Sequence, residues 1–312
     1  MELIEERIDE EIPVWELANA AALSPFYYQR LFARLVKKPI REYIKLRRLA
    51  RASHSLRNGQ DKILDIAIEY GFGSHEVFSR TFKDTYGMTP TQYRESEVRL
   101  NNFDKPDLLL NYVMIDIGVP LISDGLVLEI NWVTLEQPIT FVGVRDYVAI
   151  DGHFPNGEVT GIDQLGETWR RFNQIESVIP ALPCGRKIGV VYRGDAPESS
   201  FSYFAGAETE STNISEQFMI WTLPAGEYQV IGFEAETFDE LVTTALNKAV
   251  KYGLVWQQKQ KNSMKFADFG AEIYYAETES GVAYMEMWHC GWNNNKIEKR
   301  KSNGNFRKNR IC

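Results

Sequence analysis

Two arginines, Arg30 and Arg80, stand at the same place in two copies of one sequence pattern. With an offset of 50 residues, the copies match at four further positions: Ser24 with Ser74, Tyr28 with Phe78, Phe32 with Phe82, and Tyr43 with Tyr93. A guanidinium group is a planar fork of donors, which fits a phosphate, a carboxylate or the O6 and N7 acceptors of guanine. Each arginine lies two residues from an aromatic residue on either side, so it is predicted to point away from the buried face of its helix.

The elements that position these arginines are predicted to be two helix-turn-helix motifs. In each copy a short helix with a small residue, Ala18 or Ala67, is followed by a tight turn and a second helix. Gly71 suits the positive φ of the second turn, and Ala22 suits the first turn less well. Helix-turn-helix motifs insert their second helix into the DNA major groove. Two copies predict reading helices held about 34 Å apart, one duplex pitch, so that one chain contacts two successive groove segments.

Apolar residues recur at three- and four-residue spacing through the first hundred residues, which predicts an all-helical region. The predicted helices are 2–10, 14–21, 25–36, 40–57, 62–69, 75–86 and 91–96. The long helix 40–57 is predicted to be the rigid connector between the motifs. From about residue 100 the pattern alternates, which predicts strands at 127–135, 139–148, 187–194, 201–207, 217–222, 227–235, 271–277 and 282–289, with helices at 161–179 and 237–254.

The fold class predicted is therefore two domains, all-α and then α+β, the second with an antiparallel sheet and an internal pseudo-twofold. The predicted boundaries are 1–99 for the helical domain, 100–125 for a linker, 126–290 for the α+β domain and 291–312 for a disordered basic tail.

Charge is distributed unevenly along the chain. Residues 1–99 hold 16 Lys and Arg against 15 Asp and Glu, residues 100–290 hold 12 against 27, and residues 291–312 hold 7 against 1. Within the first block, residues 25–60 hold 10 basic residues against one acid, Glu42. That stretch has the sign that neutralises phosphates and releases counterions.

The residues predicted to contact DNA lie on and before the two reading helices. They are Phe26, Tyr27, Gln29, Arg30 and Arg34 in the first copy, and Ser74, His75, Glu76, Ser79, Arg80 and Lys83 in the second. Glu76 has two interpretations: it accepts a hydrogen bond from cytosine N4, or it caps the helix N-terminus.

Residues 1–96 resemble the DNA-binding domain of AraC/XylS-type transcriptional regulators. The resemblance rests on Ser24–Phe32, Tyr43–Leu49, Ile66–Phe72, Phe78–Lys83 and Gly87–Arg94. It implies seven helices, a reading helix in each of two adjacent major grooves, and base-reading roles for the arginines at 30 and 80. Lys37 stands where the family usually has the glycine that matches Gly87.

Residues 126–290 resemble the gyrase-inhibitor-like (GyrI-like) effector-binding domain that is attached to some AraC-type regulators. The resemblance rests on Phe141–Arg145, Glu167–Phe172, Leu223–Tyr228 and Met285–Trp288. It implies two strand-helix-strand-strand halves around a cleft that, in multidrug-sensing members, takes apolar cations. Strand alternation puts Glu272 with Tyr274 on one face, and Glu286 with Trp288 on another.

A carboxylate walled by Trp and Tyr suits an organic cation through charge pairing and cation–π contact. The predicted effector-binding residues are Trp169, Phe172, Tyr192, Tyr203, Phe233, Glu272, Tyr274, Glu286 and Trp288, and the two glutamates are the strongest candidates, because an unpaired buried acid is costly. Burial in the core is the alternative for each aromatic residue.

The predicted function is a sequence-specific DNA-binding transcriptional regulator whose second domain binds a small, cationic effector. Its predicted partners are double-stranded DNA, the effector and, as a further candidate, RNA polymerase. Two alternatives for the second domain stay open: a small-molecule hydrolase that uses a Glu and a Tyr, and a module that binds a protein partner. No metal-ligand spacing or cofactor motif stands out, and no apolar run approaches the roughly 18 residues that span a bilayer. A cytoplasmic protein with no membrane partner, no cofactor and no enzymatic activity is predicted.

Overall fold

The computed structural model describes residues 1–108, 110, 113–123, 126–150, 160–211, 213–259, 265–275 and 283–292. The chain divides into two compact units, one of Met1–Leu108 with Gly157–Asp163 and one of Leu109–Asn156 with Gln164–Cys312. Most of the predicted tail, residues 293–312, lies outside the described residues.

The first unit is helical, as its spacing of apolar residues predicts. Its helices are α1 (Glu2–Glu6), α2 (Val14–Ala20), α3 (Pro25–Val36), α4 (Ile40–Asn58), α5 (Ile63–Glu69), α6 (His75–Tyr86) and α7 (Pro90–Glu95). A short strand β1 (Leu100–Asn101) pairs antiparallel with β5 (Gly161–Ile162). Residues 100–108, where the sequence predicts a linker, lie within this unit, and Phe103 packs in its core with its ring 5.9 Å from that of Tyr43.

Each helix-turn-helix copy has its own apolar core, and α4 contributes to both. In the first core Phe32 of α3 packs edge-on against Tyr43 of α4, with ring centroids 5.4 Å apart. In the second core Phe82 of α6 packs against Tyr93 of α7 at 5.7 Å. Tyr43 and Leu46 at one end of α4 belong to the first core, and Leu49, Ala52 and Leu56 belong to the second. Since α4 has 19 residues, it spans about 28 Å.

Helix α1 is shorter than the sequence predicts. It ends at Glu6 instead of residue 10. Two carbonyl groups beyond its end, those of Ile8 and Glu10, accept hydrogen bonds from the Arg48 guanidinium at 2.6 and 2.8 Å. The same guanidinium donates to the carbonyl of Gly71 at 2.8 Å. Arg48 therefore ties the segment after α1 to the turn of the second motif.

The second unit contains a long antiparallel sheet and two main helices. Its described elements are β2 (Leu121–Ser123), β3 (Leu126–Leu135), β4 (Ile139–Ala149), α8 (Gln164–Ile175), β6 (Lys187–Tyr192), β7 (Ser200–Glu208), β8 (Met219–Leu223), β9 (Gly226–Ala235), α9 (Phe238–Glu240), α10 (Leu246–Lys259), β10 (Lys265–Tyr274) and β11 (Ala283–Trp292). A π-helical turn, Leu241–Ala245, joins α9 to α10, and a 3₁₀ turn, Glu176–Val178, follows α8.

The order of strands in the sheet shows the predicted internal twofold. The order is β2-β3-β9-β11-β10-β6-β7-β4-β8. One half is β4-α8-β6-β7, the other is β9-α10-β10-β11, and the halves meet where β10 pairs with β6. The strand before each half is exchanged, because β3 precedes β4 but pairs with β9, whereas β8 precedes β9 but pairs with β4.

Side chains on the two faces of this sheet enter different cores. On the helix face, Tyr274, Met285 and Met287 pack with α10, and Tyr203 packs with Phe172 of α8. On the opposite face, Ile273 and Trp288 pack with residues from β4, β6 and β9. The pairing of Glu272 with Met287, and of Ile273 with Glu286, fixes which face each glutamate occupies.

Most predicted strands and helices are present, with ends that differ by a few residues. Strand β10 begins at Lys265, well before the predicted 271, and residues 276–277 of that prediction lie outside the described residues. The second main helix continues to Lys259, beyond the predicted 254.

Cys184 is disulfide-bonded.

The turns of the first motif use residues with side chains where the second motif uses glycine. Ala22 (φ +53°) matches Gly71 (φ +71°), and Lys37 (φ +62°) matches Gly87 (φ +78°). The left-handed conformation costs a residue with a Cβ about 1 kcal/mol, because the Cβ crowds the next carbonyl. The first motif therefore holds more backbone strain than the second.

We expect Lys37→Gly to raise the free energy of unfolding of the first unit by about 1 kcal/mol, because it removes this strain. The matched change Gly87→Ala should lower it by a similar amount. A Cβ at position 87 has no atom within 4 Å, so only the backbone conformation is tested. Urea titration of the full chain, followed by circular dichroism at 222 nm, measures both. A loss of stability in Lys37→Gly would contradict the strain assigned to the first motif.

Candidate nucleic-acid interface and effector site

Both reading helices begin with the same cap. The Ser24 hydroxyl accepts a hydrogen bond from the Tyr27 amide at 3.3 Å, and the Ser74 hydroxyl accepts one from the Val77 amide at 3.2 Å. Pro25 occupies the first position of α3, where its fixed φ suits a helix start. The duplicated serines therefore set equivalent starts for α3 and α6.

Arg30 and Arg80 are exposed, as the sequence predicts. Each lies on the side of its helix away from the buried aromatic residues, Phe32 in α3 and Phe78 and Phe82 in α6. The Arg30 guanidinium lies 5.6 Å from the centroid of the Phe26 ring, a cation–π contact that restrains the side chain at the surface. Both guanidinium forks are therefore available to an external acceptor.

The other predicted contacts of the first motif also lie at the surface. Phe26 and Tyr27 are 69% and 55% exposed, an unusual state for two adjacent aromatic residues. Gln29 and Arg34 are exposed as well. The Gln29 amide donates to the Pro25 carbonyl at 3.3 Å, within its own helix.

In the second motif, Glu76 makes local contacts at the start of α6. Hydrogen bonds from its own backbone amide and from the Ser74 hydroxyl lower the pKa of the exposed Glu76 carboxyl. These contacts support the capping interpretation of Glu76. His75 and Lys83 are exposed, and Ser79 is half-buried with its hydroxyl 3.5 Å from the His75 ring.

Four of the ten basic residues in 25–60 bind groups of the unit itself, which the sequence did not predict. Two of them, Arg47 and Arg51, pair with the buried Glu5 carboxylate at 3.0 and 2.9 Å. The Tyr43 hydroxyl donates to the same carboxylate at 2.5 Å. Desolvation raises the pKa of the Glu5 carboxyl, but its hydrogen bonds with Arg47, Tyr43 and Arg51 outweigh that effect, and the pKa is lowered overall.

The other two of these arginines, the half-buried Arg48 and the exposed Arg57, donate hydrogen bonds to backbone carbonyl groups. Arg48 donates to three of them, as described above. Arg57 donates to the carbonyls of Ser96 and Val98 and lies 4.5 Å over the Tyr93 ring. These four arginines stabilise the unit. The count of basic residues in 25–60 is therefore larger than the number of basic side chains that are available to contact DNA.

A buried carboxylate in the second unit is surrounded by aromatic residues on the helix face of the sheet. Glu272, 8% exposed, accepts hydrogen bonds from the hydroxyls of Tyr203 and Tyr274 at 2.9 and 2.8 Å. The Trp169 indole donates to the Tyr203 hydroxyl at 2.9 Å, and its ring packs edge-on against Tyr274 at 5.0 Å. We call Trp169, Tyr203, Glu272 and Tyr274 the Glu272 cluster.

The Glu272 cluster depends on a glycine and lies near an exposed aromatic side chain. A Cβ at Gly189 of β6 would lie 2.4 Å from the Tyr203 hydroxyl and 2.7 Å from a Glu272 carboxylate oxygen. Phe238, at the start of α9, is 51% exposed and has its ring 6.4 Å from that of Tyr274. The cluster therefore contacts α8 through Trp169 and α9 through Phe238. The sequence does not identify Gly189 and Phe238 as site residues. Their contacts with Tyr203, Glu272 and Tyr274 depend on the tertiary fold, which local sequence patterns do not reveal.

Glu286 lies on the opposite face of the sheet. It is 7% exposed and accepts hydrogen bonds from the Tyr275 and Tyr284 hydroxyls, at 2.5 and 2.7 Å, and from the Trp288 indole at 2.8 Å. The predicted effector residues therefore form two groups separated by the sheet. Trp169, Phe172, Tyr203, Phe233, Glu272 and Tyr274 lie on the helix face, and Tyr192, Glu286 and Trp288 lie on the other.

Phe172 and Phe233 are fully buried and pack in the cores that α8 and α10 make with the sheet.

Within the part of the chain that the structure describes, no three His, Cys, Asp or Glu side chains come together as metal ligands. In the same residues no helix has the length and apolar character needed to cross a membrane.

The fold and these sites define a protein with a duplicated helix-turn-helix unit and a pseudo-twofold antiparallel-sheet unit. The profile of the family described as "Helix-turn-helix domain" matches residues 17–96, and that of the "Integron-associated effector binding protein" family matches residues 153–304. Regulatory protein SoxS of Salmonella typhimurium is 36% identical over 94 residues, which are 30% of this chain and 88% of SoxS. The chain belongs to the AraC family of transcriptional regulators and is a DNA-binding regulator with a GyrI-like second domain.

Two further similarities have limited extent. The regulator YbfP of Bacillus subtilis, whose function is uncharacterised, is 41% identical over 91 residues, which are 29% of this chain and only 31% of YbfP. SAV2435, solved with bound tetraphenylphosphonium, is 14% identical with a TM-score of 0.41, and the match covers 53% of this chain and 94% of SAV2435.

We expect Glu5→Gln to lower the free energy of unfolding of the first unit by about 3 kcal/mol at pH 7, because it leaves two guanidinium groups without their carboxylate. The pKa of Glu5 is lower in the folded than in the unfolded chain. Its contribution is therefore complete above about pH 4.3 and is lost as the pH falls through the lowered value.

The difference between wild type and Glu5→Gln should shrink below about pH 4. Glu2→Gln is the matched control on α1, because Glu2 pairs with Lys105 while 73% exposed, and exposed pairs contribute little. Urea titrations at pH 7 and pH 3 measure all three proteins. An equal difference at both pH values would contradict the role of the charged carboxylate.

Proposed function

We propose that this AraC-family regulator reads DNA through Arg30 and Arg80 and binds an apolar organic cation at the Glu272 cluster. The observation that carries the effector proposal is the buried carboxylate of Glu272, enclosed by Trp169, Tyr203 and Tyr274. We place this activity in the cytoplasm, with RNA polymerase as a candidate partner.

The DNA proposal rests on the equivalence of the two motifs. Ser24 and Ser74 cap the helices in the same way, and the arginine six residues after each cap is exposed. A guanidinium in the major groove donates two parallel hydrogen bonds to guanine O6 and N7, which is the commonest specific contact. Phe26, Tyr27, Gln29, His75 and Ser79 occupy neighbouring positions on the reading helices, where they support base or sugar contacts.

Arg80→Ala should weaken binding to the specific duplex by about 1 to 3 kcal/mol and relax preference at one base pair. Arg80→Lys is the matched control: it keeps the charge but loses the planar fork, so it should lose the same preference while retaining affinity for random DNA. Fluorescence anisotropy with duplexes chosen by in-vitro selection measures both. An equal loss for Arg80→Ala on selected and random duplexes would assign Arg80 to a phosphate.

The effector proposal rests on the chemistry of the Glu272 cluster. A carboxylate attracts a cation by charge, and the faces of Trp and Tyr add cation–π attraction of about 0.5 to 2 kcal/mol each. Low exposure strengthens both interactions, because less water screens them. The apolar rings favour a cation with an apolar body over a hydrated metal ion. The acidic balance of residues 100–290, 27 Asp and Glu against 12 Lys and Arg, favours the approach of a positive ligand.

Glu272→Gln should weaken binding of tetraphenylphosphonium about tenfold or more, a loss of about 1.4 kcal/mol, and should change binding of neutral triphenylphosphine oxide little. Glu286→Gln is the matched control on the opposite face and should change neither affinity. Calorimetry and quenching of tryptophan fluorescence on the full chain measure these affinities. If only Glu286→Gln weakens the binding of tetraphenylphosphonium, the effector site lies on the opposite face of the sheet. If neither variant weakens it, a carboxylate does not attract the cation and the effector proposal is wrong.

One observation favours a hydrolase as the second candidate. The Tyr274 hydroxyl donates to Glu272 at 2.8 Å, which brings together the Glu and Tyr that such a reaction needs. Turnover of a panel of reactive esters and epoxides that disappears in Glu272→Gln would support catalysis. Binding of these compounds without turnover would contradict catalysis and would support effector binding as the role of the cluster.

A further inference from the structure

The two helix-turn-helix copies differ in charge although their folds match. Residues 26–41 contain five basic residues and no acid, whereas the equivalent residues 76–91 contain two basic residues and two acids. The net difference arises at four positions beyond the reading arginines, because Glu76 and Lys83 of the second copy, which match uncharged residues of the first, cancel each other. Arg34, Lys37, Lys38 and Arg41 of the first copy correspond to Asp84, Gly87, Met88 and Thr91 of the second.

These four basic side chains make no ion pair with any other residue that the structure describes. The structure describes every residue from 1 to 108, and within that range none of the four forms a salt bridge or donates a hydrogen bond. Three are exposed and Lys38 is half-buried. The one acid of residues 25–60, Glu42, is paired with Lys45 at 2.7 Å. The four charges therefore contrast with Arg47, Arg48, Arg51 and Arg57, which bind groups inside the unit.

The four residues lie close together along the chain where α3 ends and α4 begins. Arg34 is in the last turn of α3, Lys37 is its C-cap, and Arg41 is in the first turn of α4. The start of α4 has no side-chain cap, because Pro39 precedes it. At the equivalent place in the second copy, Thr89 and Gln92 form a capping box that satisfies the start of α7. The second copy thus lacks these four charges, and its helix α7 has side-chain caps that α4 lacks.

We propose that Arg34, Lys37, Lys38 and Arg41 form a binding patch for DNA phosphates, which the second copy lacks. The inference rests on the proposed function, because it requires α3 to lie in a major groove. The patch contacts the sugar-phosphate backbone beside the first groove segment, and the uncapped amides of α4 face the same backbone. The first motif then carries most of the salt-dependent affinity, and the second motif binds with little contribution from counterion release.

The test measures the dependence of DNA affinity on KCl concentration for the full chain. Each phosphate contact contributes a slope of about −0.9 to a plot of log K against log [KCl]. The triple variant Arg34→Ala/Lys38→Ala/Arg41→Ala should therefore reduce the magnitude of the slope by about 2.7. The reduction should be the same on selected and random duplexes, because phosphates carry no sequence information. Lys37 is left unchanged, because its substitution also alters backbone strain.

Two controls separate the patch from general charge. Arg170→Ala removes one positive charge from the second unit and should leave the slope unchanged. Asp84→Arg/Thr91→Arg places basic residues at the equivalent positions of the second motif and should increase the magnitude of the slope by about 1.8. Circular dichroism at 222 nm confirms that each variant remains folded.

The outcomes distinguish this inference from the proposed function. Wild-type binding with a slope that the triple variant does not change would overturn the patch and leave DNA reading by α3 and α6 intact. Failure of the wild-type protein to bind any selected duplex would overturn both. A loss of affinity on the selected duplex alone, with an unchanged slope, would show that the patch contacts bases, and would also overturn the inference.

Discussion

The arrangement of the two reading helices depends on one shared element, α4. Its first half packs in the core of the first motif through Tyr43 and Leu46, and its second half packs in the core of the second motif through Leu49 and Leu56. Because protein cores are close-packed, neither motif can rotate about α4 without opening a cavity. Arg48 adds a polar constraint, since one guanidinium holds carbonyl groups of the segment after α1 and of the second turn.

The same helix explains why charge alone gives a poor count of DNA contacts. On α4, Arg47 and Arg51 face the buried Glu5, and Arg48 and Arg57 face backbone carbonyls. A buried carboxylate with two guanidinium partners is costly to break, because the Glu5 carboxylate without them would be a buried, unpaired charge. These arginines are therefore committed to the fold, and the cations that remain for phosphates cluster at the junction of α3 and α4.

The sequence predicts local features of this molecule well, and non-local partners poorly. The duplicated motifs and the exposure of Arg30 and Arg80 follow from spacing along single helices, and both are confirmed. Strand alternation likewise predicts that Glu272 shares a face with Tyr274, and Glu286 with Trp288, as the register shows. The contacts of Arg47 with Glu5 and of Tyr203 with Glu272 join residues 42 and 69 positions apart, so they require the tertiary packing.

Both units are duplicated, and in both the copies have diverged where a ligand would bind. In the first unit the backbone of each motif is preserved, including the left-handed residues at 37 and 87, although Lys37 is strained there. A glycine at position 37 would relieve this strain but would carry no positive charge. In the second unit the equivalent helices differ in the same way. Trp169 of α8 reaches the Glu272 carboxylate network, whereas Tyr252 and Trp256 of α10 bind the backbone of Ile115. Duplication thus supplies two equivalent frames, and the proposed binding sites depend on side chains that differ between the frames.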